Sequence, residues 1–324
     1  MKYPLLLTPA LLLVTALMSA QGQSSQAQTS ARTTITLPAA VASALSAGST
    51  VRDAQTGVAS STSTLKAVLA DPSTLASALL SAQQAQAQLS QARLTATQNA
   101  INAFTALYQT QEQTEVQALQ IQVDSKALQV AQVKLSTRNG TALDVQNTLS
   151  TSRQNLQDTQ AQLLVNSQKL ANVIGKPGSY TDSTSPNASP VRQNTSLSSN
   201  YPTLLRDQQA VDTAALSVRL ADNEFTARVT LDQARTALSN AQSTAEAAQA
   251  SYQTALQTEA NTQATYKQDG VRLSSGTISA VALQQSQLTL KKAQYARAQA
   301  LVAVWQALAA LSTASGQNVT GLVK

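Results

Sequence analysis

Apolar residues recur at every seventh position over long stretches of this chain. Leu149, Leu156, Leu163 and Leu170 form one such stripe. This spacing keeps apolar side chains on one side of an α-helix and is typical of left-handed coiled-coil packing. A disordered chain rich in Gln, Ser and Ala would not keep it, so the stripes argue against disorder. The other stripes are Val116, Val123 and Val130; Ile121, Leu128 and Leu135; Leu231, Leu238, Ala245, Tyr252, Tyr266 and Leu273, with one polar lapse at Glu259; and Leu283, Leu290, Val304 and Leu311, interrupted at Arg297.

The composition favours thin helices over a thick globular core. Ala, Gln, Ser, Thr and Leu dominate, aromatic residues make up only 3% of the chain, and Gly and Pro number ten and eight. Ala, Leu and Gln favour helix, and few breaking residues interrupt them. Two adjacent stripes on one helix indicate neighbours on two sides, as in a bundle or helical barrel. We therefore predict an all-α fold of long antiparallel coiled-coil helices, with little or no β structure.

Breaking residues divide the chain into elements. Asn139-Gly140 is a turn signal, Gly175 stops a helix, and Gly276 breaks the second half. The predicted helices are one from near Leu37 to near Asp71, one from about Ser73 to Leu135, one ending at Ile174, one running toward Leu273 and one from about Ser279 to Ser315.

The two halves of the chain repeat one plan. The stretch VKLSTRNGTALDVQ at 133–146 matches VRLSSGTISAVALQ at 271–284, with five identical positions and five close exchanges. Both stretches lie at the tip where a long helix turns back into a shorter one. The predicted organisation is a signal peptide at 1–27, a first helical half-repeat at 31–175, a linker at 176–200, a second helical half-repeat at 201–316 and a tail at 317–324.

The N-terminal segment has the pattern of a secretory signal peptide. Lys2 supplies a positive start, and Leu5–Met18 is an apolar run too short for a comfortable membrane span, with small residues after it. An N-terminal membrane anchor is the alternative. The chain has no Cys, so lipid attachment at a Cys and disulfide formation are both excluded. We expect an exported protein.

The composition also argues against catalysis and against nucleic-acid binding. The net charge is only +6 over 324 residues, no run of Lys and Arg occurs, and aromatic stacking platforms are scarce. With no His and no Cys, the commonest general base and transition-metal ligands are missing. No Gly-rich phosphate loop or nucleophile elbow is present. We expect no enzyme, no metal, no cofactor and no nucleic-acid partner.

The tips and the helices that return from them resemble the TolC-like outer membrane factor family. The likeness is most specific over Gly140–Gly175 and Tyr266–Gly316, each with a Gly turn, an apolar step, Gln/Ala/Leu heptads and a terminal Gly. The resemblance covers nearly the whole mature chain. It implies a homotrimer whose protomers close into a periplasmic α-helical barrel. It also implies a periplasmic adaptor and an inner-membrane pump as partners, and a location in the periplasm, the outer membrane or both.

The chain departs from that family where membrane strands are expected. Family members insert two membrane-spanning β-strands in each half, which here correspond to Ala70–Gln83 and Ala221–Ala234. Only Thr226–Leu231 alternates, and weakly. A bilayer-crossing strand needs about ten alternating residues and flanking aromatic girdles. We therefore expect both strand pairs to be absent, which is hard to reconcile with a self-inserting pore.

The two tips are the candidate contact surface. They either touch an adaptor and gate an aperture, or serve only as turn and capping residues, with Thr141 and Ser279 as helix caps. Charges elsewhere on the helices, including Asp124 and Lys291, are expected on solvated faces. The candidate tip residues are Lys134, Arg138, Asn139, Gly140, Thr141, Asp144, Arg272, Ser274, Gly276 and Thr277.

Two functions stay open at this point. The first is a component of an efflux or export conduit that acts through an oligomeric helical tunnel docked to a periplasmic adaptor. The second is a periplasmic structural or scaffolding coiled coil that has lost the pore. A third, an adaptor-like hairpin protein, is weakened because no β-rich domain flanks the hairpins.

Overall fold

The computed structural model describes residues 33–68, 72–136, 142–182 and 220–322. This part of the chain is almost entirely helical, which confirms the predicted all-α class. Two three-residue strands are β1 (Thr33–Ile35) and β2 (Tyr180–Asp182). The helices are α1 (Leu37–Ala47), α2 (Ser49–Ala67), α3 (Pro72–Ser136), α4 (Leu143–Ile174), α5 (Leu220–Ser274) and α6 (Ala280–Ser315).

The four long helices form two antiparallel hairpins that lie side by side. We call α3 and α4 the first hairpin, and α5 and α6 the second hairpin. α3 packs along α6, so the helices follow one another in the order α5, α6, α3, α4. The short helices α1 and α2 pack on α3. The result is a rod whose two outermost long helices are α4 and α5.

The seven-residue stripes face the neighbouring helices, as predicted. In α4, Leu149, Leu163 and Leu170 are buried and Leu156 is half-buried. In α3, Val116 and Val123 are buried, but Val130 near the tip is 41% exposed. Packing therefore loosens toward the tips of the hairpins.

The helix α6 lies at the centre of the rod and packs through two faces. One face places Leu301 and Trp305 in a cluster with Ile101 and Phe104 of α3. The other face places Val304, Leu308 and Leu311 against α5. These two faces explain why apolar residues are so dense near the end of the chain, since the helix has neighbours on both sides.

The predicted first helix is interrupted at Gly48. It forms the separate helices α1 and α2, because Gly48 has an extended backbone with φ −63° and ψ 128°. The Gly48 amide still donates a hydrogen bond to the Ala44 carbonyl oxygen at 2.9 Å. A β-carbon at position 48 would lie only 2.5 Å from that oxygen, so the bend requires glycine. Nothing in the apolar periodicity marked this break.

A small parallel pairing joins the start of the first half to the segment after α4. The strand β1 pairs with β2 in the register Thr33 to Tyr180, Thr34 to Thr181 and Ile35 to Asp182. Tyr180 is buried in the main cluster, and its backbone amide donates to the Ser167 hydroxyl at 2.6 Å. The predicted linker thus begins with an ordered strand.

The two places where membrane strands were expected to be absent are helical wherever they are described. α3 begins at Pro72 and continues through residue 83, and α5 begins at Leu220 and continues through residue 234. Residues 70 and 71 lie outside the described residues. The long helices therefore run through the positions at which the family would insert its strand pairs.

Candidate functional site

The second tip is a compact turn stabilised by its own backbone and hydroxyl groups. Gly276 has φ +73°, a conformation that glycine adopts at little cost. The Arg272 carbonyl, at the end of α5, accepts hydrogen bonds from the Thr277 amide at 2.8 Å and the Thr277 hydroxyl at 2.9 Å. Ser279 caps α6 by accepting from the Ala282 amide at 3.2 Å, which confirms its predicted capping role.

Among the tip residues, the turn groups and the outward-facing groups can be separated. The Thr277 hydroxyl donates to the Arg272 carbonyl, and the Ser274 hydroxyl donates to the Val271 carbonyl at 2.7 Å. Both side chains therefore stabilise the turn itself. The Arg272 side chain stays largely exposed and lies 3.4 Å from the Asp269 carboxylate, measured from Nη1 to Oδ1. At this tip, Arg272 is therefore the candidate most able to meet a partner.

The first tip is described only on its flanks. Lys134, near the end of α3, and Asp144, in the first turn of α4, are both exposed. Asp144 lies where a carboxylate favours a helix N-terminus. Arg138, Asn139, Gly140 and Thr141, including the predicted Thr141 cap, lie outside the described residues.

The two tips do not end at the same level along the rod. Lys291 of α6 contacts Glu112 and Glu115 of α3, which fixes the register between the hairpins. From that level α3 continues roughly twenty residues to its end at Ser136, whereas α6 begins only about ten residues away. At about 1.5 Å of rise per residue, the first hairpin extends roughly 15 Å further along the helix direction.

Both tips expose an apolar side chain that the candidate residues did not include. Val133 is 66% exposed and Val271 is 68% exposed, and they occupy the same first position of the repeated stretch. Leu143, at the start of α4, is 65% exposed. The sequence signal that could have identified these valines is the repeat, because both copies have Val at this position. Since the position lies outside the buried stripes, packing within the protomer does not explain an apolar residue there.

The seam between the hairpins is held by a charged cluster on α3 and α6. The Lys291 ammonium contacts the Glu115 carboxylate and lies 3.4 Å from Glu112 Oε2. Burial by itself lowers the pKa of Lys291, but the two carboxylates outweigh it and hold the pKa above its ordinary value of 10.5. The Tyr295 hydroxyl lies 3.4 Å from Gln113 Oε1 in the same region.

The polar interruptions of two heptad stripes meet each other. Glu259 interrupts the stripe of α5, and Arg297 interrupts the stripe of α6. Arg297 Nε lies 2.9 Å from Glu259 Oε2, although the Nε–H group is not aligned for a hydrogen bond. The interruptions are therefore complementary charges within the second hairpin.

The expectation that scattered charges occupy solvated faces is wrong for Asp124. Asp124 is only 7% exposed. Its carboxylate accepts from the Ser152 hydroxyl of α4 at 2.6 Å and from the Gln120 amide at 2.9 Å. The reason is that these donors replace water, so the carboxylate can lie between α3 and α4. Lys291 is likewise half-buried rather than solvated.

The outermost helices α4 and α5 each keep an apolar surface toward solvent. On α4, Leu164 is 57% exposed and Val165 is 45% exposed. On α5, Val229 is 38% exposed. The two helices share no packing seam within the described residues. Within the described residues, no further long helix packs on the outer side of α4 or α5.

The described residues contain no group of three or more His, Cys, Asp or Glu side chains able to hold a metal ion. Within them, α6 alone is long and apolar enough to cross a membrane, and most of its apolar stretch is buried inside the rod. That burial fits the central helix of the bundle.

The sequence matches no family model and no curated protein sequence. Several solved outer membrane channels share the fold. A structure of CusC is 12% identical, with a TM-score of 0.68 over 87% of this chain and 96% of that one. The Campylobacter jejuni CmeC channel is 10% identical, with a TM-score of 0.65 over 87% and 86%. The open-state Neisseria gonorrhoeae MtrE channel is 11% identical, with a TM-score of 0.57 over 87% and 89%.

Identity at this level establishes the fold and nothing finer. These channels have the TolC-like fold, so the fold predicted from the paired tips and the heptads is confirmed.

Proposed function

We propose that this chain is one protomer of an efflux or export conduit in the cell envelope. Its two hairpins form part of the wall of an oligomeric helical tunnel. The observation that carries this proposal is the outer side of α4 and of α5, which no other long helix covers among the described residues. Leu164 and Val165 on α4, together with Val229 on α5, are exposed apolar side chains that another helix would bury.

The same proposal assigns the partners and the location. The oligomer is a homotrimer in which α4 of one protomer packs on α5 of the next. The tips face a periplasmic adaptor, which connects the conduit to an inner-membrane pump. The chain is exported with removal of residues 1–27 and works in the periplasm, docked at the outer membrane. The fold shared with outer membrane channels supports this assignment.

The proposal is tested by the assembly state of the mature chain. Sedimentation velocity and electron microscopy are expected to give a trimer with a central tunnel. Replacing Leu164 and Val165 of α4 with Glu is expected to dissociate the trimer into monomers, because both charges would be buried at the protomer contact. Helical content by circular dichroism should be unchanged, since both side chains are exposed within the protomer.

The matched control adds the same two charges on α2, by Ser60→Glu and Ser63→Glu. Both positions are exposed, and this variant is expected to remain trimeric and to restore efflux in a deletion strain. A stable wild-type monomer without a tunnel, with no change in drug or metal sensitivity on deletion, would overturn the proposal.

A scaffolding coiled coil is the second candidate, favoured by one specific observation. α3 and α5 run as helices through residues 72–83 and 220–234, where a membrane barrel would have to be inserted. Membrane fractionation separates the two candidates. A protein washed from the membrane by salt, with a deletion that alters cell shape but not efflux, favours the scaffold. Extraction by detergent alone, with an efflux defect, favours the conduit.

A further inference from the structure

A groove lies toward the end of the rod opposite the tips, between α1, α2, α3 and the segment that follows α6. Its volume is about 670 Å³. Small-molecule sites in proteins usually fall between roughly 300 and 1,000 Å³. The groove therefore has the size of a ligand site, and it shares no residue with the tips or with the edges of the four-helix layer.

The apolar wall of the groove is the second face of α1. Leu37, Ala40, Val41 and Ala44 fill the first face of this helix and are buried in the main core. α1 contains no charged residue and only two polar ones, Ser43 and Ser46, and a helix of this kind is normally largely buried. Its other face lines the groove together with the segment after α6, through Pro38, Ala42, Leu45 and Leu322.

A single charged side chain lines this groove among the described residues, that of Arg93 on α3. Arg93 is half-buried, and its guanidinium has no hydrogen bond or ion pair within the described part of the chain. Besides the backbone bonds of the helix, the Arg93 carbonyl accepts from the Thr97 hydroxyl at 2.9 Å. Gln55 of α2 adds an amide beside it, whereas the Ser46 hydroxyl already donates to Ser43.

A half-buried arginine whose guanidinium has no partner among the described residues is the group that an acidic ligand would complete. Arginine binds carboxylate and phosphate through two parallel N–H donors, and these charge-assisted bonds are roughly twice as strong as neutral ones. The adjacent apolar wall would at the same time exclude water from a hydrocarbon chain. One groove therefore offers both a cationic group for an acidic head and apolar surface for a hydrocarbon chain.

We propose that this groove binds a small amphiphile with one acidic head group, such as a medium-chain fatty acid or an alkyl phosphate. The head pairs with Arg93, and the hydrocarbon lies along Pro38, Ala42 and Leu45 of α1. This site is separate from the conduit proposed above, because it needs neither the tips nor a neighbouring protomer. Its occupancy would be measured equally well on a monomer.

The test uses the mature full chain and four probes in isothermal titration calorimetry. Sodium octanoate and octyl phosphate are each expected to bind at one site. Comparing their affinities shows whether the groove prefers a carboxylate or a phosphate head group. Octanol, which lacks the charge, is expected to bind at least about tenfold more weakly, as is butyrate, which lacks the chain. Octanol binding as tightly as octanoate would overturn the proposal.

Two variants locate the site. Arg93→Gln is expected to weaken octanoate binding about tenfold or more, while Arg153→Gln on the exposed face of α4 leaves it unchanged. Ala42→Trp, at an exposed position on α1, fills the groove and is expected to abolish binding even if Arg93→Gln folds poorly. Unaltered octanoate binding in Ala42→Trp would show that the groove is not the site.

Discussion

Buried hydrogen bonds between α3 and α4 fix how these helices face each other. The Asp124 carboxylate accepts from Ser152, and the Asn166 amide donates to the Thr110 hydroxyl at 2.7 Å. A slip along the stripe would leave these groups buried without partners, at about 1–3 kcal/mol for each. Apolar stripes built from Leu, Val and Ala permit several registers, so the polar pairs select one.

Removing the Asp124 carboxylate tests this role. Asp124→Ala is expected to lower the free energy of unfolding by about 1–3 kcal/mol, because the Ser152 hydroxyl and the Gln120 amide lose their acceptor. Urea denaturation followed by circular dichroism measures the change.

Asp158→Ala on α4 is the matched control, since Asp158 is exposed. Its effect should stay within about 0.5 kcal/mol. Equal stability of the two variants would show that the buried carboxylate does not select the register.

Helix ends in this chain are set by glycine, but not all in the same way. Gly175 and Gly316 end α4 and α6 with φ of +68° and +69°, and the sequence predicted both stops. Gly48 was not predicted, because its bend uses an extended conformation open to any residue. What requires glycine there is the close approach to the Ala44 oxygen, which only the folded backbone reveals.

Two glycine-to-alanine substitutions should therefore have opposite signs. Gly48→Ala is expected to destabilise the protein by about 1–3 kcal/mol, because its β-carbon meets a carbonyl oxygen that is held by the helix. Gly57→Ala lies inside α2 with nothing within 4 Å of the added carbon. It is expected to stabilise by roughly 0.5–1 kcal/mol, as alanine favours helix.

Thermal unfolding of both variants beside the wild type measures the signs. If both raised the melting temperature, the bend at Gly48 would not depend on the missing β-carbon.

Across the whole molecule, the sequence predicted more about each hairpin than about how the hairpins meet. Heptads and the repeated tips indicate two hairpins directly, because both are local patterns. The level at which the hairpins pack depends on contacts such as Lys291 with Glu112, which are far apart in sequence. The repeat predicts two tips with equivalent sequences, whereas the packing of the hairpins makes the first hairpin extend further along the helix direction.

Thiol crosslinking tests the level at which the two hairpins pack against each other, and the chain suits this method because it has no native Cys. Gln113→Cys paired with Tyr295→Cys is expected to react rapidly with a short bifunctional maleimide, because these side chains lie in contact. Intramolecular crosslinks are detected by mass spectrometry of peptides.

Gln120→Cys with Tyr295→Cys is the control, about 10 Å further toward the tip on the same face of α3. It should react at least about tenfold more slowly. The reverse order of rates would place the two tips side by side and remove the difference in their reach.

That difference in reach gives the rod a stepped end. A ring of such rods would end in hairpin tips that alternate between a longer and a shorter reach, not in a flat rim. A partner protein approaching along the axis would contact the first hairpins first. It would contact the second hairpins only after moving further along the axis. Binding would then proceed in two stages, in which the partner covers first Val133 and then Val271.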